Sequence, residues 1–453
     1  EYEQEKNRLD NMTGTERLKD IVLGILGIPR MLRTTIDLSA PFRQGIRLMA
    51  GHPILFGKAF IKMHMMAGSQ KQYDDFMSKL RASKEYSVML SAGLSITDAT
   101  GLQRAREDRF LNNIIGNTLE SKRLNNKLGG IPSKFNFPFK ASERGYTGFV
   151  NMMRVDVFLQ GMKILEKQRV TIENNKEAYK VLAQYVNSAT GRGDISSLGK
   201  SMQAFNAVFF SPRMLKSMYD YPVSILKTMV DGTIPKELKF MMAKDLVSFI
   251  GFGIGALSLA AMAYRGYGGD DDDEYIVESD PRSSDFGKFK YKKNRYDIWA
   301  GYMPLVRTIV QLYTMEQKST KDGSIKKLDG SAYGGDTGAD KVVSFLTNKL
   351  APIPSVLWQR FKGKDNEGNA FEWKNMPKQL LLPMSIEQGY DGYSNDEVEL
   401  HEAIINAVLN FYGVGVQRYG DSKPSNKKGG FSYENPYKNN YKNNYKNNYK
   451  SDY

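Results

Sequence analysis

The sequence predicts a mainly α fold: an elongated multi-helix architecture with irregular loops and a low-complexity C-terminal tail. Two observations predict it. From residue 13 to about residue 265, apolar residues recur mostly at helical spacing, whereas strand-like alternation is scarce. From Asp421 onward the chain is dominated by polar residues, tyrosine and lysine, a composition that cannot form a buried core.

The composition removes most enzyme classes. The chain has 453 residues, which can bury a core without disulfides or a structural metal. It has no cysteine and only three histidines, His52, His64 and His401, so thiolate chemistry is excluded and imidazole chemistry is nearly so. Neither a GxxxxGK[ST] phosphate loop nor an HExxH zinc motif occurs. We therefore expect no catalytic residues, no metal and no cofactor in this chain.

The charge balance favours an anionic partner. The 64 lysines and arginines against 50 acidic residues give a formal net charge of +14, which suits nucleic acid or an acidic membrane surface. The 22 methionines suit adaptable packing surfaces. The chain begins at Glu1 without a signal-peptide pattern, which favours a piece of a longer or processed protein. An enzymatic domain upstream in the parent chain stays possible on this reading.

The first half of the chain reads as two helical groups, residues 1–128 and 129–245. Thr13 and Glu16 have capping-box spacing before an apolar run, which predicts a first helix there. Helical spacing predicts further helices at about 41–66, 70–91, 97–116, 142–170, 173–189, 200–230 and 235–264. Pro132 and Pro138 predict an irregular connector between the two groups. The glycine-rich stretch 190–194 reads as a turn, with phosphate binding as the weaker alternative.

Residues 246–266 form an apolar helix, the most distinctive feature of the chain. Residues 246–264 carry no charge, and as a helix they would be about 28 Å long, close to the thickness of a bilayer core. Gly251 and Gly255 would let another helix approach closely. Two alternatives stay open here, a membrane-inserting segment and a buried helix in a large assembly. The candidate membrane or helix-packing residues are Leu246, Phe249, Gly251, Phe252, Gly255, Leu257 and Leu259.

A mixed helix and loop region, residues 267–415, follows the apolar helix. It opens with five consecutive acidic residues, 270–274, which favour a solvated loop and lack the ligand pattern of a calcium site. Helical patterns recur near 304–316, 338–350 and 398–412.

The final segment, residues 416–453, reads as a flexible basic tail with three copies of YKNN. Aromatic rings interleaved with lysines can stack on bases while the amines contact phosphates. Docking on a neighbouring subunit is the alternative. The candidate nucleic-acid contacts are Lys438, Tyr441, Lys442, Tyr445, Lys446 and Lys450.

A series of short stretches gives the chain a family resemblance over most of its length. They are DLSAPFRQG (37–45), SAGLSITD (91–98), ASERGYTGF (141–149), NMMRVD (151–156), NSATGRG (187–193), FFSPR (209–213), DPRSSDFGK (280–288), DIWAGY (297–302) and NKLAPIP (348–354). In their order and number they resemble the C-terminal region of the large polyvalent proteins of bacteriophages. The YKNN tail and the acidic run depart from that pattern.

The resemblance implies an internal virion protein, a cargo or ejection protein held in the capsid interior or the tail lumen. Its implied role is structural, in genome packaging or in DNA ejection into the host. The implied partners are copies of itself and other virion proteins, such as portal or tail-lumen components, with packaged DNA and the host membrane as further contacts. The host envelope would be its location after ejection. The alternative is a single-span integral membrane protein with basic flanking domains.

Overall fold

The computed structural model describes residues 13–14, 29–30, 33–34, 38–97, 136–266, 276–320, 322–331, 335–365, 370–382 and 399–418. Within these residues the fold is mainly α, with a few short strands, and the predicted fold class is confirmed. The first predicted helix, most of the helix predicted at 97–116, the acidic run and the tail beyond Arg418 lie outside the described residues.

Fourteen α-helices are described. They are α1 (Ile46–Met49), α2 (Pro53–Gly68), α3 (Gln70–Arg81), α4 (Tyr86–Ala92), α5 (Asn136–Lys167), α6 (Lys176–Ala189), α7 (Met202–Val208), α8 (Pro212–Val230), α9 (Lys236–Gly266), α10 (Tyr302–Thr314), α11 (Gly338–Thr347), α12 (Pro352–Lys362), α13 (Met376–Leu381) and α14 (Leu400–Tyr412).

Three of the predicted helices are interrupted, two of them directly before a proline. The helix predicted at 41–66 breaks at His52, whose backbone leaves the helical region before Pro53. The helix predicted at 200–230 is interrupted between Val208 and Pro212, where Phe209 is extended and Ser211, directly before the proline, is also non-helical. Proline crowds the residue that precedes it and so disfavours helical backbone there. The helix predicted at 70–91 instead ends at Arg81 and restarts at Tyr86.

Helix α5 lies at the centre of the core and packs most extensively against α2. Gly148 makes the close approach possible, because a Cβ at that position would collide with the Met66 side chain of α2. A Cβ at Gly145 would collide with Leu38 and crowd Ala67 of α2. The predicted irregular connector was wrong for residues 136–139, where α5 already begins. Pro138 is tolerated there because backbone N–H groups of the first helical turn have no partner within the helix.

The core extends from α5 to α6, α8 and α9. Helix α6 packs between α5 and α8, and its Tyr179, Leu182 and Tyr185 are buried. Helix α9 crosses α1, α5 and α8. Methionine side chains fill much of this interior, as their flexible thioethers allow.

Short antiparallel strands follow α9. β1 (Phe289–Tyr291) pairs with β2 (Asn294–Asp297) with Phe289 opposite Tyr296, and β5 (Gly415–Arg418) lies on the other side of β2. β3 (Glu316–Lys318) and β4 (Ile325–Lys327) form a separate two-stranded sheet. Helix α11 begins with a capping box formed by Thr337 and Asp340.

Candidate functional site

One side of helix α9 packs against the rest of the chain. Its buried residues recur three or four positions apart, as one stripe of an α-helix does. They are Leu238, Met241, Met242, Asp245, Phe249, Gly253 and Leu257. The stripe begins in the charged part of the helix and continues into the apolar run. The run is thus part of a longer helix that begins at Lys236.

Asp245 is the polar anchor of this stripe and is fully buried. Its Oδ2 lies 2.8 Å from Nε2 of His52 and accepts a hydrogen bond from the hydroxyl of Tyr185. Gly51 permits this arrangement, because a Cβ at that position would overlap Oδ1 of Asp245. The carboxylate therefore joins α9 to the start of α2 and to α6. No local sequence pattern links His52 to Asp245, because the two residues lie 193 positions apart.

A second tyrosine ring extends this polar cluster. Tyr221 of α8 stacks on Tyr185 with ring centroids 5.9 Å apart. The pKa of each hydroxyl lies well above its usual value, first because burial disfavours the phenolate and then because neighbouring groups, including Asp245, add negative charge. Both hydroxyls therefore stay protonated at neutral pH. The cluster fixes α6, α8 and α9 together.

Gly253 provides the second close contact of α9. The indole of Trp299 lies where a Cβ of residue 253 would be. The indole Nε1 donates a hydrogen bond to the carbonyl of Gly287 at 2.8 Å, and its ring meets Phe249 edge-on at 5.9 Å. This contact holds the middle of the apolar run against the segment that leads into α10.

The opposite side of α9 is apolar and exposed. Phe240 is 72% exposed and Val247 is 68% exposed, and Ile254 and Met262 continue the same stripe. The helix is long and apolar enough to cross a membrane, and only 17% of its most apolar window is buried. A core helix of a soluble protein passes the same test of length and composition but is mostly buried. We call the exposed side, residues 240–262, the outward face.

The structure divides the seven predicted membrane or packing residues between the two sides of α9. Phe249 and Leu257 are buried within the chain. Leu246 and Gly255 are half-buried, and Gly251, Phe252 and Leu259 are exposed. Among the described residues, no atom lies within 4 Å of where a Cβ of Gly251 or Gly255 would be, so the predicted glycine pair makes no close contact there. The glycine that makes a close approach is Gly253.

A cleft of about 770 Å³ opens at the N-terminal end of the outward face. His52 and Gln160 line it together with Lys236, Phe240 and Lys244 of α9. Apolar side chains of α2 and α5 complete its walls. Amines beside an apolar cavity are suited to a ligand that is both anionic and apolar.

Helix α14 presents a second unusual surface, because its polar side is buried and its apolar side is exposed. Its buried side carries polar residues, including Glu402, which bonds Asn294, and Asn406, which accepts a 2.9 Å hydrogen bond from Tyr296. Its exposed side is mainly apolar and includes one polar residue, His401, among apolar side chains that recur four residues apart. They are Leu400, Ile404 and Val408, with Ile405 beside them.

Three further kinds of binding site were considered from the sequence: a phosphate site at 190–194, a metal site and nucleic-acid contacts in the tail. In the turn 190–194 the backbone N–H groups of Gly191, Arg192, Gly193 and Asp194 already bond protein oxygens, so they do not form a free phosphate cradle. In the described part of the chain, no group of three or more acidic and histidine side chains could hold a metal ion. The tail candidates, from Lys438 to Lys450, lie outside the described residues.

No known protein family matches this chain, and no curated protein or solved structure is significantly similar to it.

Proposed function

We propose that this chain is an internal virion protein of a bacteriophage. It assembles in several copies, takes part in genome packaging or in DNA ejection into the host, and contacts the host membrane during ejection. The motif series that resembles the large polyvalent proteins supports this proposal, as do the basic charge and the two apolar surfaces. Its location is the capsid interior or the tail lumen, beside portal or tail-lumen proteins.

The inverted amphipathic helix α14 is the observation that carries the assembly role. A helix of an independent soluble domain turns its apolar stripe toward the core. In α14 the polar stripe is inside, satisfied by strand residues such as Asn294 and Tyr296, and Leu400 is 63% exposed on the outside. Large contiguous apolar patches on a surface are typical of protein contacts. Neighbouring copies or other virion proteins are the partners that would cover this one.

The positive charge supports contact with DNA. The formal net charge is +14, and the tail adds lysines interleaved with tyrosines at Lys438, Lys442, Lys446 and Lys450. When lysine side chains bind DNA phosphates, they release condensed counterions from the backbone. This contribution to binding does not depend on the DNA sequence, which suits a protein that lies beside packaged or moving DNA. The role proposed for this chain is structural, without an enzymatic activity or a cofactor.

A second candidate is a single-span integral membrane protein, favoured by the length and hydropathy of α9. The buried stripe of α9 supports the first proposal over this one. Spanning a bilayer would remove Asp245 from His52 and Tyr185, and Gly253 from Trp299. Carbonate extraction of cell membranes separates the two candidates, because an integral span stays with the membrane whereas a virion protein made in the cytoplasm is released.

Mass spectrometry of purified virions tests the main proposal. We expect peptides from the described helices in the particles, in several copies per virion, and again in the envelope of newly infected cells. An unrelated cytoplasmic host protein serves as the control for contamination. Absence of the chain from the purified particles would contradict the proposal.

A further inference from the structure

The outward face of α9 and the cleft at its start form one continuous surface. Phe240 belongs to both, since it lines the cleft and is exposed at the start of the stripe. From Lys244 to Arg265, about 32 Å along the helix, the outward face carries no charge. A partner must therefore be apolar along this length and must accommodate cationic side chains at its ends.

The cleft end of this surface is basic. Lys236 and Lys244 are exposed and lie on the same side of the helix as Phe240. Glu237 lines the cleft as well, and the two amines outnumber it. A phosphate-bearing headgroup would gain from both amines, and an acyl chain would gain from the apolar wall formed by Ile54 and Phe240.

The opposite end of the helix carries the exposed Arg265, and the sequence continues into the acidic residues 270–274 soon after Gly266. Two lysines that line a cleft, Lys236 and Lys244, therefore distinguish the other end of the outward face.

A second copy of the chain fits the outward face less well. In an antiparallel pair centred on Gly253, Lys244 of one copy would come within about one helical turn of Arg265 of the other. In a parallel pair each of these side chains would face its own counterpart. Both arrangements bring the positive charges of Lys244 and Arg265 close together at the edge of an apolar interface, where they repel each other. The anionic headgroups of a lipid surface would instead neutralise these charges.

The buried stripe determines how the helix meets a membrane. Asp245 and Gly253 hold α9 to the protein along one side, so the helix can offer its outward face to a bilayer without leaving the core. A helix that lies in the interface buries one apolar face at the level of the headgroups, and nearby cations strengthen its binding to anionic lipids.

We propose that the outward face of α9 docks on an anionic lipid bilayer, and that the cleft beside His52 receives a phosphate-bearing lipid headgroup between Lys236 and Lys244. This inference rests on the membrane contact in the proposed function. The vesicle experiment below needs no virion, so the two proposals can fail separately.

Vesicle flotation with the full chain tests the docking. We expect binding to vesicles of phosphatidylglycerol and phosphatidylethanolamine in a 3:7 ratio, and weak binding to pure phosphatidylcholine. The double variant Val247→Asp and Ile254→Asp is expected to lose this binding, because both side chains are exposed and the charges would enter the interface. The matched control is Ile309→Asp with Tyr313→Asp on α10, which adds the same two charges at exposed positions outside the surface. The tail is present in every variant, so its own affinity for lipid cancels.

A second pair of variants tests the cleft. The variant Lys236→Ser with Lys244→Ser is expected to bind the anionic vesicles about thirtyfold more weakly, because each lysine near an anionic surface contributes about 1 kcal/mol. The control, Lys180→Ser with Lys227→Ser, removes the same charge from exposed positions outside the cleft. Millimolar inorganic phosphate is expected to leave vesicle binding unchanged at constant ionic strength, since the lipid is the ligand.

Four results would overturn the proposal. They are equal binding to neutral and anionic vesicles, unchanged binding in the Val247 and Ile254 variant, equal effects of the two lysine pairs, and displacement from vesicles by free phosphate. If the Val247 and Ile254 variant instead turned a dimer into a monomer in sedimentation velocity without changing lipid binding, the face would be a contact between copies. Circular dichroism of each variant verifies that the helices are intact.

Discussion

Gly253 lies directly against the indole of Trp299, so that a Cβ at residue 253 would overlap ring atoms Cζ2, Cζ3 and Cη2. The neighbouring glycines of the same helix, Gly251 and Gly255, have no atom within 4 Å of such a position. Three glycines at alternate positions of one helix thus have two different roles. One permits packing inside the chain, and two leave the exposed side of α9 open.

These roles predict opposite effects of alanine. Gly253→Ala is expected to lower the free energy of unfolding by about 1–3 kcal/mol, because the added methyl forces Trp299 from its site. Gly251→Ala is expected to raise it by about 0.5–1 kcal/mol, because alanine favours helix and meets no neighbour. Urea denaturation followed by circular dichroism measures both. Equal effects of the two substitutions would contradict this assignment.

Asp245 is expected to be a large contributor to stability. Asp245→Ala leaves His52 and Tyr185 without their shared acceptor in a buried site, at an expected cost of about 2–4 kcal/mol. The matched control is Asp75→Ala on the exposed side of α3, expected to change stability by less than about 0.5 kcal/mol. Chemical denaturation of both variants provides the comparison, and a small loss for Asp245→Ala would show that the cluster is not an anchor.

The buried tyrosines predict a loss of stability at alkaline pH. Burial raises the pKa of Tyr221 well above its ordinary value near 10, whereas in the unfolded chain the hydroxyl ionises at that ordinary value. Above pH 10 the unfolded state therefore binds fewer protons than the folded state, and stability falls as the pH rises. Below pH 10 the contribution of Tyr221 is constant.

Tyr221→Phe isolates this effect. The variant is expected to reduce the fall in unfolding free energy above pH 10 by at most about 1.4 kcal/mol per pH unit, the value for one proton. Lysines also titrate in this range, but they are the same in both proteins. The control is Tyr219→Phe, because Tyr219 is exposed. Urea titrations from pH 8 to pH 11 measure the slopes, and identical slopes for wild type and Tyr221→Phe would refute the prediction.

We expect the tail to contribute a measurable part of the affinity of this chain for DNA. Truncation after Ser432 removes four lysines, Lys438, Lys442, Lys446 and Lys450. The magnitude of the slope of log affinity against log salt is expected to decrease by about 3.6 for duplex DNA, because each of the four lost phosphate contacts releases about 0.9 counterion. Fluorescence anisotropy with labelled DNA between 50 and 300 mM salt measures it. Replacing Tyr441 and Tyr445 by serine is the matched variant, which is expected to lower the affinity and keep the slope. An affinity independent of salt would rule out contact with phosphates.

The inverted helix α14 predicts self-association or partner binding through its apolar side. Ile404→Asp with Val408→Asp places charges on that side and is expected to shift the sedimentation profile toward smaller species. Ile309→Asp with Tyr313→Asp, two exposed positions four residues apart on α10, is the control for charge alone. An unchanged profile for the double variant would remove α14 from the assembly surface.

Much of the fold follows from local sequence. Helical periodicity predicted the helices now observed in α6, α9, α10, α11 and α14 within a few residues of their bounds. It also predicted α5, which begins at Asn136 rather than at residue 142, and α8, which is only the second part of the segment predicted at 200–230. The misplaced boundaries lie mostly next to proline. Pro53 and Pro212 begin new helices inside segments predicted to be continuous, and Pro138 lies in the first turn of α5 rather than in a connector. A proline limits helical backbone locally, but its position in the helix decides whether the helix stops, and the apolar pattern alone does not fix that position.

The sequence by itself determined that residues 246–264 form an apolar helix about as long as a bilayer is thick, and that the chain is basic. Only the tertiary structure decided which side of that helix is buried. Where nearly every side of a helix is apolar, periodicity does not indicate its orientation, so Gly253 could not be distinguished from Gly251. The orientation comes from contacts distant in sequence, such as Asp245 with His52 and Gly253 with Trp299, because burying a carboxylate requires a hydrogen-bonding partner and a ring this close requires a residue without a side chain.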